Sequence, residues 1–206
     1  ATVDLYLKYG IRRVDASAFM QLTPAVVRYK LHGIHEENGQ VITPNRLIAK
    51  LSRTEVAELF LRPAPESMVQ DLVRKGHLSP QQALLASRIP LADGITAEAD
   101  SGGHTDRRPL SVLIPLICRL RNRIQADSPV KSWVGAAGGI GDPWSMAAAF
   151  SLGADYVMTG SINQATLEAG TSTLVKEMLA QAGPFDMALG PAPDMFEIGA
   201  QVQVLA

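Results

Sequence analysis

The chain has 206 residues, of which 47% are hydrophobic and 19% are charged, and its formal net charge at pH 7 is −1. This composition is typical of a globular domain, and the charge balance argues against a nucleic-acid partner or an anionic membrane surface. The longest apolar run, around Val112–Cys118, is far shorter than the roughly 20 residues of a membrane-spanning helix. The chain shows no signal-peptide pattern and has a single cysteine, so we expect no intramolecular disulfide and a cytoplasmic location.

Short runs rich in β-branched residues alternate with amphipathic runs along the chain, which predicts an α/β fold with a parallel sheet covered by helices. Five strand–helix units are predicted, with strands inside the segments 11–19, 45–52, 93–104, 132–143 and 155–161. The polar segment 32–45 is predicted to be an exposed loop. The segments 163–170 and 172–183 are predicted to be helical.

Several helix ends carry recognisable signals. Thr54 is the predicted N-cap of a helix whose apolar face contains Val56, Leu59 and Phe60. A second helix is predicted to begin at Ser79 with Pro80 in its first helical position. A third is predicted to begin at Pro143 and to end at Gly153.

Two strand exits are rich in glycine, and each leads into a predicted helix. The first is Gly138-Gly139-Ile140-Gly141, and the second, about 20 residues later, is Gly160-Ser161. Glycine lets backbone N–H groups approach an anion, and a (β/α)8 barrel builds its phosphate site after strands 7 and 8. The alternative is that these glycines only make tight turns.

The pair of exits favours a flavin-type monophosphate over other phosphate ligands. A dinucleotide fingerprint is disfavoured because Trp144 occupies the position of its third glycine. Neither loop is followed by the lysine that binds a nucleotide triphosphate in a P-loop.

A third strand exit, EADSGGHTD (98–106), contains Gly102, Gly103 and His104. The glycine pair allows the backbone to lie close to a flat ligand, and a histidine donates or accepts protons near neutral pH. The alternative is a surface loop with an incidental histidine. His104 with Asp100 and Asp106 matches no standard metal site. The other histidines, His32, His35 and His77, lie in polar contexts and are predicted to be solvated.

Together, EADSGGHTD, GAAGGIGDP and TGSINQ resemble the 2-nitropropane dioxygenase-like flavin barrels, which include nitronate monooxygenases and FMN-dependent enoyl reductases. The resemblance is strongest to the PfaD-type enoyl reductases of polyunsaturated fatty acid synthases and trans-acyltransferase polyketide synthases. That branch has segments similar to IRRVDASAFMQLTPAVVRYKLHG and PAPDMFEIGAQVQVLA, so the resemblance extends over nearly the whole chain.

The resemblance implies FMN, NADPH and a 2,3-unsaturated thioester carried by an acyl carrier protein within a synthase, and it allows a homodimer. It matches Gly138, Gly139 and Ile140 to one phosphate loop and Gly160 and Ser161 to the other. Gly102, Gly103 and His104 match the segment that faces the flavin ring and the substrate, with His104 orienting the substrate or delivering a proton.

The five predicted strands correspond to strands 4–8 of such a TIM (β/α)8 barrel. We therefore expect residues 1–183 to be the C-terminal part of an FMN-binding barrel, and the natural polypeptide to be longer. Residues 184–206 form a Pro/Gly/Met-rich tail. Met187, Met195 and Phe196 of this tail are expected to pack on the barrel rather than to form an interface or a lid.

Three functions remain open at this point. The first is an enoyl-thioester reductase that acts on a carrier protein. The second is a nitronate monooxygenase-like oxidase that uses the same flavin with molecular oxygen. The third is an inactive fragment that serves as an assembly module of a synthase.

Overall fold

The computed structural model describes residues 2–17, 22–183, 185–193, 197 and 199–206. Its helices are α1 (Thr2–Lys8), α2 (Pro24–Leu31), α3 (Thr54–Leu61), α4 (Glu66–Arg74), α5 (Pro80–Ala86), α6 (Leu110–Ile124), α7 (Pro143–Ser151), α8 (Ser161–Gln164) and α9 (Thr173–Gln181). Its strands are β1 (Arg13–Ser17), β2 (His35–Glu37), β3 (Gln40–Ile42), β4 (Arg46–Leu51), β5 (Gly94–Glu98), β6 (Gly103–His104), β7 (Trp133–Ala137), β8 (Tyr156–Met158), β9 (Met187–Pro191) and β10 (Gln201–Leu205).

A five-stranded sheet carries the fold, and its strand order is β1-β4-β5-β7-β8. β1 runs parallel to β4, and β7 runs parallel to β8. All five strands lie inside the segments predicted from the sequence, so the α/β fold with a parallel sheet is confirmed. Ala18 and Phe19, at the end of the first predicted segment, lie outside the described residues.

The chain divides into two compact units, and the boundary between them runs through β5 and β7. The first unit comprises Ala1–Thr96 and Leu116–Val134, and the second comprises Ala97–Pro115 and Gly135–Ala206. The starts of β5 and β7 therefore belong to the first unit, and their C-terminal ends belong to the second.

The core of the first unit follows from the side-chain alternation of β4. Leu47, Ala49 and Leu51 are buried, and the residues between them are more exposed, as expected for a strand with one face toward a core. On α3, Val56 and Phe60 of the predicted apolar face are buried, whereas Leu59 is 43% exposed.

Helix starts in this unit follow local hydrogen bonding. Ser79 caps α5 through a reciprocal capping box with Gln82, and Pro80 opens the helix as predicted. The predicted N-cap at Thr54 is wrong, because Thr54 is the first helical residue of α3. The N-cap is Arg53, which makes no side-chain capping hydrogen bond.

The segment 32–45 is a β-hairpin rather than a plain loop. β2 pairs antiparallel with β3, and the two connecting residues, Asn38 and Gly39, have φ angles of 51° and 78°. A two-residue turn with two positive φ angles matches the twist of paired strands, and Asn-Gly is its preferred sequence. The hairpin strands are largely exposed, whereas Thr43 and Asn45 after them are buried.

A buried charge cluster joins α2, β4 and β5 within the first unit. Lys30 is 1% exposed, and its ammonium donates to Thr43 Oγ1 at 2.9 Å, to the Asn45 carbonyl at 3.3 Å and to Asp93 Oδ2 at 2.7 Å. Asp93 also accepts from Arg46 at 2.8 Å and from the Leu47 amide at 2.7 Å. Every proton of the ammonium thus has an acceptor, as a buried charge requires.

The cluster shifts the titration of both buried groups. Burial would raise the pKa of Asp93, but the Lys30 ammonium, the Leu47 amide and the Arg46 guanidinium outweigh it, so the pKa of this carboxyl lies below its ordinary value. Burial lowers the pKa of Lys30, and the attraction of Asp93 only partly opposes that shift. The pair therefore anchors the first unit as an ion pair.

The second unit contains the C-terminal ends of β5 and β7, followed by α7, β8, α8 and α9. A separate three-stranded sheet has the order β6-β10-β9, with β10 antiparallel to both neighbours. The tail predicted from Pro184 onward thus supplies two strands, and Met187 begins the first. Met195 and Phe196 lie outside the described residues.

Candidate active site

Three strand exits of the second unit lie side by side. The amide of Ala99, one residue after β5, donates to the Ala137 carbonyl at 2.8 Å, so β5 and β7 remain paired to their last residues. β8 pairs with β7 in register, with Ala137 opposite Met158. The loops that follow these strands consequently start from one edge of the sheet.

Gly138 fits tightly against the loop after β5. Its φ is +97°, and a Cβ built on it would lie 2.5 Å from the Ala99 carbonyl oxygen and 2.8 Å from that of Asp100. No side chain can be accommodated at such distances. The neighbouring backbone therefore requires glycine at position 138. From the sequence, this glycine was expected to make room for a bound anion.

Gly102 brings the loop after β5 against the start of α8. A Cβ on Gly102 would lie 3.0 Å from Ser161 Oγ. A Cβ on Gly141 would lie 3.5 Å from the Ile162 side chain. The structure thus brings together the three glycine-containing segments that were predicted separately, with Gly102 beside Ser161 and Gly138 beside Ala99.

One glycine in each of the loops after β7 and β8 faces open space. A Cβ at Gly139, whose φ is +66°, or at Gly160 would meet no atom within 4 Å. Ile140, between the glycines of the first loop, is 7% exposed and anchors that loop in the core. Packing in the core therefore fixes the loop after β7, whereas the backbone at Gly139 and Gly160 remains accessible to a ligand.

The two helix starts beside these loops differ in their free donors. At α7, the Asp142 carboxylate accepts from the amides of Trp144 at 2.7 Å and Ser145 at 3.1 Å. The hydrogen bonds that the Ser145 and Trp144 amides donate to it hold the pKa of the Asp142 carboxyl below its ordinary value. The Asp142 carboxylate thus occupies the N-terminus of α7, and the two backbone amides that it binds are not available to a bound anion.

At α8, Gly160 is the N-cap and makes no side-chain capping bond. Within the described part of the chain, the amides of Ser161 and Ile162 donate no hydrogen bond, and the same holds for Gly139 and Ile140. Backbone N–H groups normally find a partner. These four amides are therefore among the open donors at the sheet edge.

His104 lies half-buried in the short strand β6, opposite Val202 of β10. Asp100, a few residues earlier, accepts from Thr105 Oγ1 at 2.7 Å and from Gln203 Nε2 at 3.3 Å. The sequence gives Thr105 a place in this segment but predicts no contact of Thr105 or Gln203 with Asp100. The alternation QVQVL marks a polar face of a strand, but nothing local indicates that this face contacts Asp100. The other three histidines are exposed, as predicted.

The part of the chain that the structure describes contains no group of three or more His, Cys, Asp or Glu side chains arranged to hold a metal ion. Over the same residues, every helix is too short or too polar to cross a bilayer.

The chain is similar to segments of synthase proteins. It is 48% identical to the polyketide biosynthesis protein ThaF of Burkholderia thailandensis, over 100% of this chain and 18% of that protein. It is 50% identical to the polyketide biosynthesis protein PksE of Bacillus subtilis, over 98% of this chain and 27% of that protein. It is also 48% identical to a polyunsaturated fatty acid synthase protein of Thraustochytrium sp., over 98% of this chain and 14% of that protein. The chain thus spans about a quarter or less of the relatives it matches. No family model matches it.

Solved structures give the deciding comparison. The enoyl reductase domain of MlnA, from the macrolactin biosynthesis cluster of Bacillus amyloliquefaciens, superposes with a TM-score of 0.93 at 44% identity, over 99% of this chain and 46% of that one. Over 99% of its length, this chain is therefore similar in sequence and fold to the MlnA enoyl reductase domain. The family resemblance inferred from the motifs is thereby confirmed. FabK of Thermotoga maritima is 25% identical with a TM-score of 0.60, over 98% of this chain and 49% of that one.

Proposed function

We propose that this chain is part of an FMN-dependent enoyl reductase that uses NADPH to reduce 2,3-unsaturated acyl thioesters on an acyl carrier protein. The observation that carries the proposal is the convergence of three glycine-containing strand exits with four open backbone amides. The sequence relatives, which are synthase proteins of polyketide and polyunsaturated fatty acid biosynthesis, support the substrate class and synthase modules as partners.

The strand order supports a (β/α)8 barrel of which these are strands 4–8. The five sheet strands follow one another in chain order, without the reversal that marks a doubly wound sheet. In a barrel, each strand lies beside the next in sequence, and the ligand site forms from loops at the C-terminal ends. The glycine-containing loops lie at that end.

The residues present fit the phosphate of FMN. A phosphate monoester needs several N–H donors and room beside them. Gly139 and Gly160 leave that room, and the amides of Ile140 and Ser161 lie next to them with no acceptor among the described residues. We therefore assign the phosphate to the loops at Gly138–Ile140 and Gly160–Ser161, away from the first turn of α7, where Asp142 already neutralises the donors.

When bound, the flavin would supply hydride chemistry, which no side chain of this chain provides. Gly102 and Gly103 lack side chains, so the backbone after β5 can lie against a flat ring system. An imidazole nitrogen of His104 would orient the thioester or deliver the proton to its Cα. The half-buried position of His104, one residue after this glycine pair, suits either role.

The function is tested by an assay on the purified protein. NADPH oxidation should depend on a crotonyl thioester attached to an acyl carrier protein, and the protein should release FMN on denaturation. Oxygen uptake with an alkyl nitronate in the absence of NADPH would instead identify an oxidase. A folded, colourless protein that binds the carrier protein would identify an assembly module.

Gly160→Leu tests the phosphate assignment without disturbing the fold. A Cβ on Gly160 would meet no atom within 4 Å and the backbone φ is −122°, so the variant should unfold at the same temperature as the apo-protein of the parent. FMN should bind at least about tenfold more weakly, because the side chain occupies the approach of the phosphate. Gly170→Leu, at an equally open glycine outside the loops, is the control in the same fluorescence titration. Equal FMN affinity in the two variants would refute the assignment.

His104→Ala tests the proposed role at the substrate. We expect normal FMN content and a fall in turnover of about 10²-fold, typical for loss of a proton donor, measured as thioester-dependent NADPH oxidation. His77→Ala, which removes an exposed imidazole, is the control. Loss of flavin in His104→Ala without a separate kinetic defect would count against this role.

A further inference from the structure

The C-terminal strand β10 holds the segment that contains His104. Val202 pairs with His104, and Gln203 pairs with Gly103. On its other side, β10 pairs with all five residues of β9. β6 has only two residues and would not be stable alone, since an isolated short strand gains too few hydrogen bonds. Its conformation consequently depends on β10.

A side chain of β10 also reaches the exit of β5. Gln203 Nε2 lies 3.4 Å from Asp100 Oδ1 and 3.3 Å from Oδ2, so one amide group donates to the carboxylate between its two oxygens. The two residues are 103 positions apart in the chain. This contact fixes the distance between β10 and the loop that leads to Gly102.

Asp100 is the centre of that loop's hydrogen bonding. Its Oδ1 accepts from the buried Thr105 hydroxyl at 2.7 Å, and the same hydroxyl accepts from the Arg107 amide at 2.9 Å. The Asp100 amide donates to the Arg108 carbonyl at 2.9 Å. The Asp100 carbonyl oxygen lies against Gly138, so a movement of Asp100 would displace two of the site's three loops.

The Asp100 carboxylate receives hydrogen bonds only from neutral groups within the described part of the chain, namely Thr105 and Gln203. A half-buried carboxylate that loses a donor retains its desolvation cost. The loop would therefore move to find water or another donor. Gln203 is the donor that ties this carboxylate to a different part of the fold.

We propose that Gln203 is a positioning residue of the active site, which acts through Asp100 to fix the Gly102–His104 segment. This inference rests on the proposed function for its effect on catalysis. It also makes β10 a part of the site, although none of its residues was predicted to contribute.

The test compares Gln203→Leu with Gln201→Leu in the purified protein. Gln201 is exposed and lies on the same strand, so the control has the same change in volume and hydrophobicity. We expect kcat of Gln203→Leu to fall about tenfold with KM changed less than about twofold, because the reacting groups are misplaced while the binding surface remains. FMN content and kinetics of Gln201→Leu should equal those of the parent.

Gln203→Glu tests the contact with Asp100 by reversing its sign. The amide that donates to the Asp100 carboxylate is replaced by a carboxylate on a side chain of the same length, and the two like charges repel each other. Turnover should therefore fall at least as far as in Gln203→Leu, although the side chain keeps its size.

Hydrogen exchange separates this inference from the function on which it rests. The amides of Gly102–His104 should exchange about tenfold faster in Gln203→Leu than in Gln201→Leu. If the parent protein reduces no thioester but this difference is found, the positioning by Gln203 holds and the proposed activity fails. Equal exchange in the two variants would overturn the inference whether or not the parent is active.

Discussion

Asp93→Ala is expected to lower the free energy of unfolding by about 3–5 kcal/mol, the usual cost of removing one partner of a buried ion pair. The reason is the position of Lys30, which is 1% exposed and whose ammonium would lose its only carboxylate among the contacts described above. The Leu47 amide and the Arg46 guanidinium would lose an acceptor as well. Chemical denaturation followed by circular dichroism measures the change.

Asp71→Ala is the matched control for this prediction. Asp71 forms ion pairs with Arg74 and Lys75 in the same unit, but all three side chains are solvent-exposed or half-exposed. Exposed pairs contribute little to stability because water and salt screen them. Equal destabilisation by the two substitutions would show that the Lys30–Asp93 pair does not anchor the fold.

The same pair gives the stability a defined dependence on acid. The pKa of Asp93 in the folded state lies below its ordinary value of 3.8. As the pH falls, Asp93 is therefore protonated in the unfolded chain before it is protonated in the folded protein. The contribution of Asp93 is therefore complete above about pH 4 and is lost as the pH falls through the folded-state pKa. The stability difference between the parent and Asp93→Asn should shrink below about pH 4.

The five sheet strands could be predicted from the sequence because each is a short apolar run bounded by turn residues, as in the segments that became β4 and β7. The caps at Ser79 and Asp142 are local, with donor and acceptor three residues apart, and Ser79 was predicted. The first helix, α1, was missed. The segment 163–170 was also predicted to be helical, but α8 ends at Gln164.

For the candidate site, the sequence predicted which segments belong together but not how they touch. Glycine at a strand exit is a local pattern, and three such patterns in chain order place three loops at one sheet edge. The contact of Asp100 with Gln203 joins residues 103 positions apart, and no local pattern encodes such a distance. The capping of α7 by Asp142 could have been read from the Asp-Pro sequence, and it removes donors that a glycine pattern alone suggests are free.

Gly138→Ala should be the most damaging of the glycine substitutions in these loops, with a loss of about 3 kcal/mol in the free energy of unfolding. Two costs add at this position. The φ of +97° is strained for any residue with a Cβ, and the new methyl carbon would lie 2.5 Å from the Ala99 carbonyl oxygen. Because that oxygen belongs to backbone paired with β7, it cannot move aside without breaking the ladder.

Gly139→Ala separates the two costs, since its φ of +66° imposes backbone strain but its Cβ meets no atom within 4 Å. Strain alone costs about 1–2 kcal/mol, so urea denaturation should place Gly139→Ala between the parent and Gly138→Ala. The difference between the two variants then measures how closely the loop after β7 packs on the loop after β5. Should the two alanine variants be equally stable, the close approach at Gly138 is absent in solution, and the convergence of the loops on which the phosphate assignment depends loses its support.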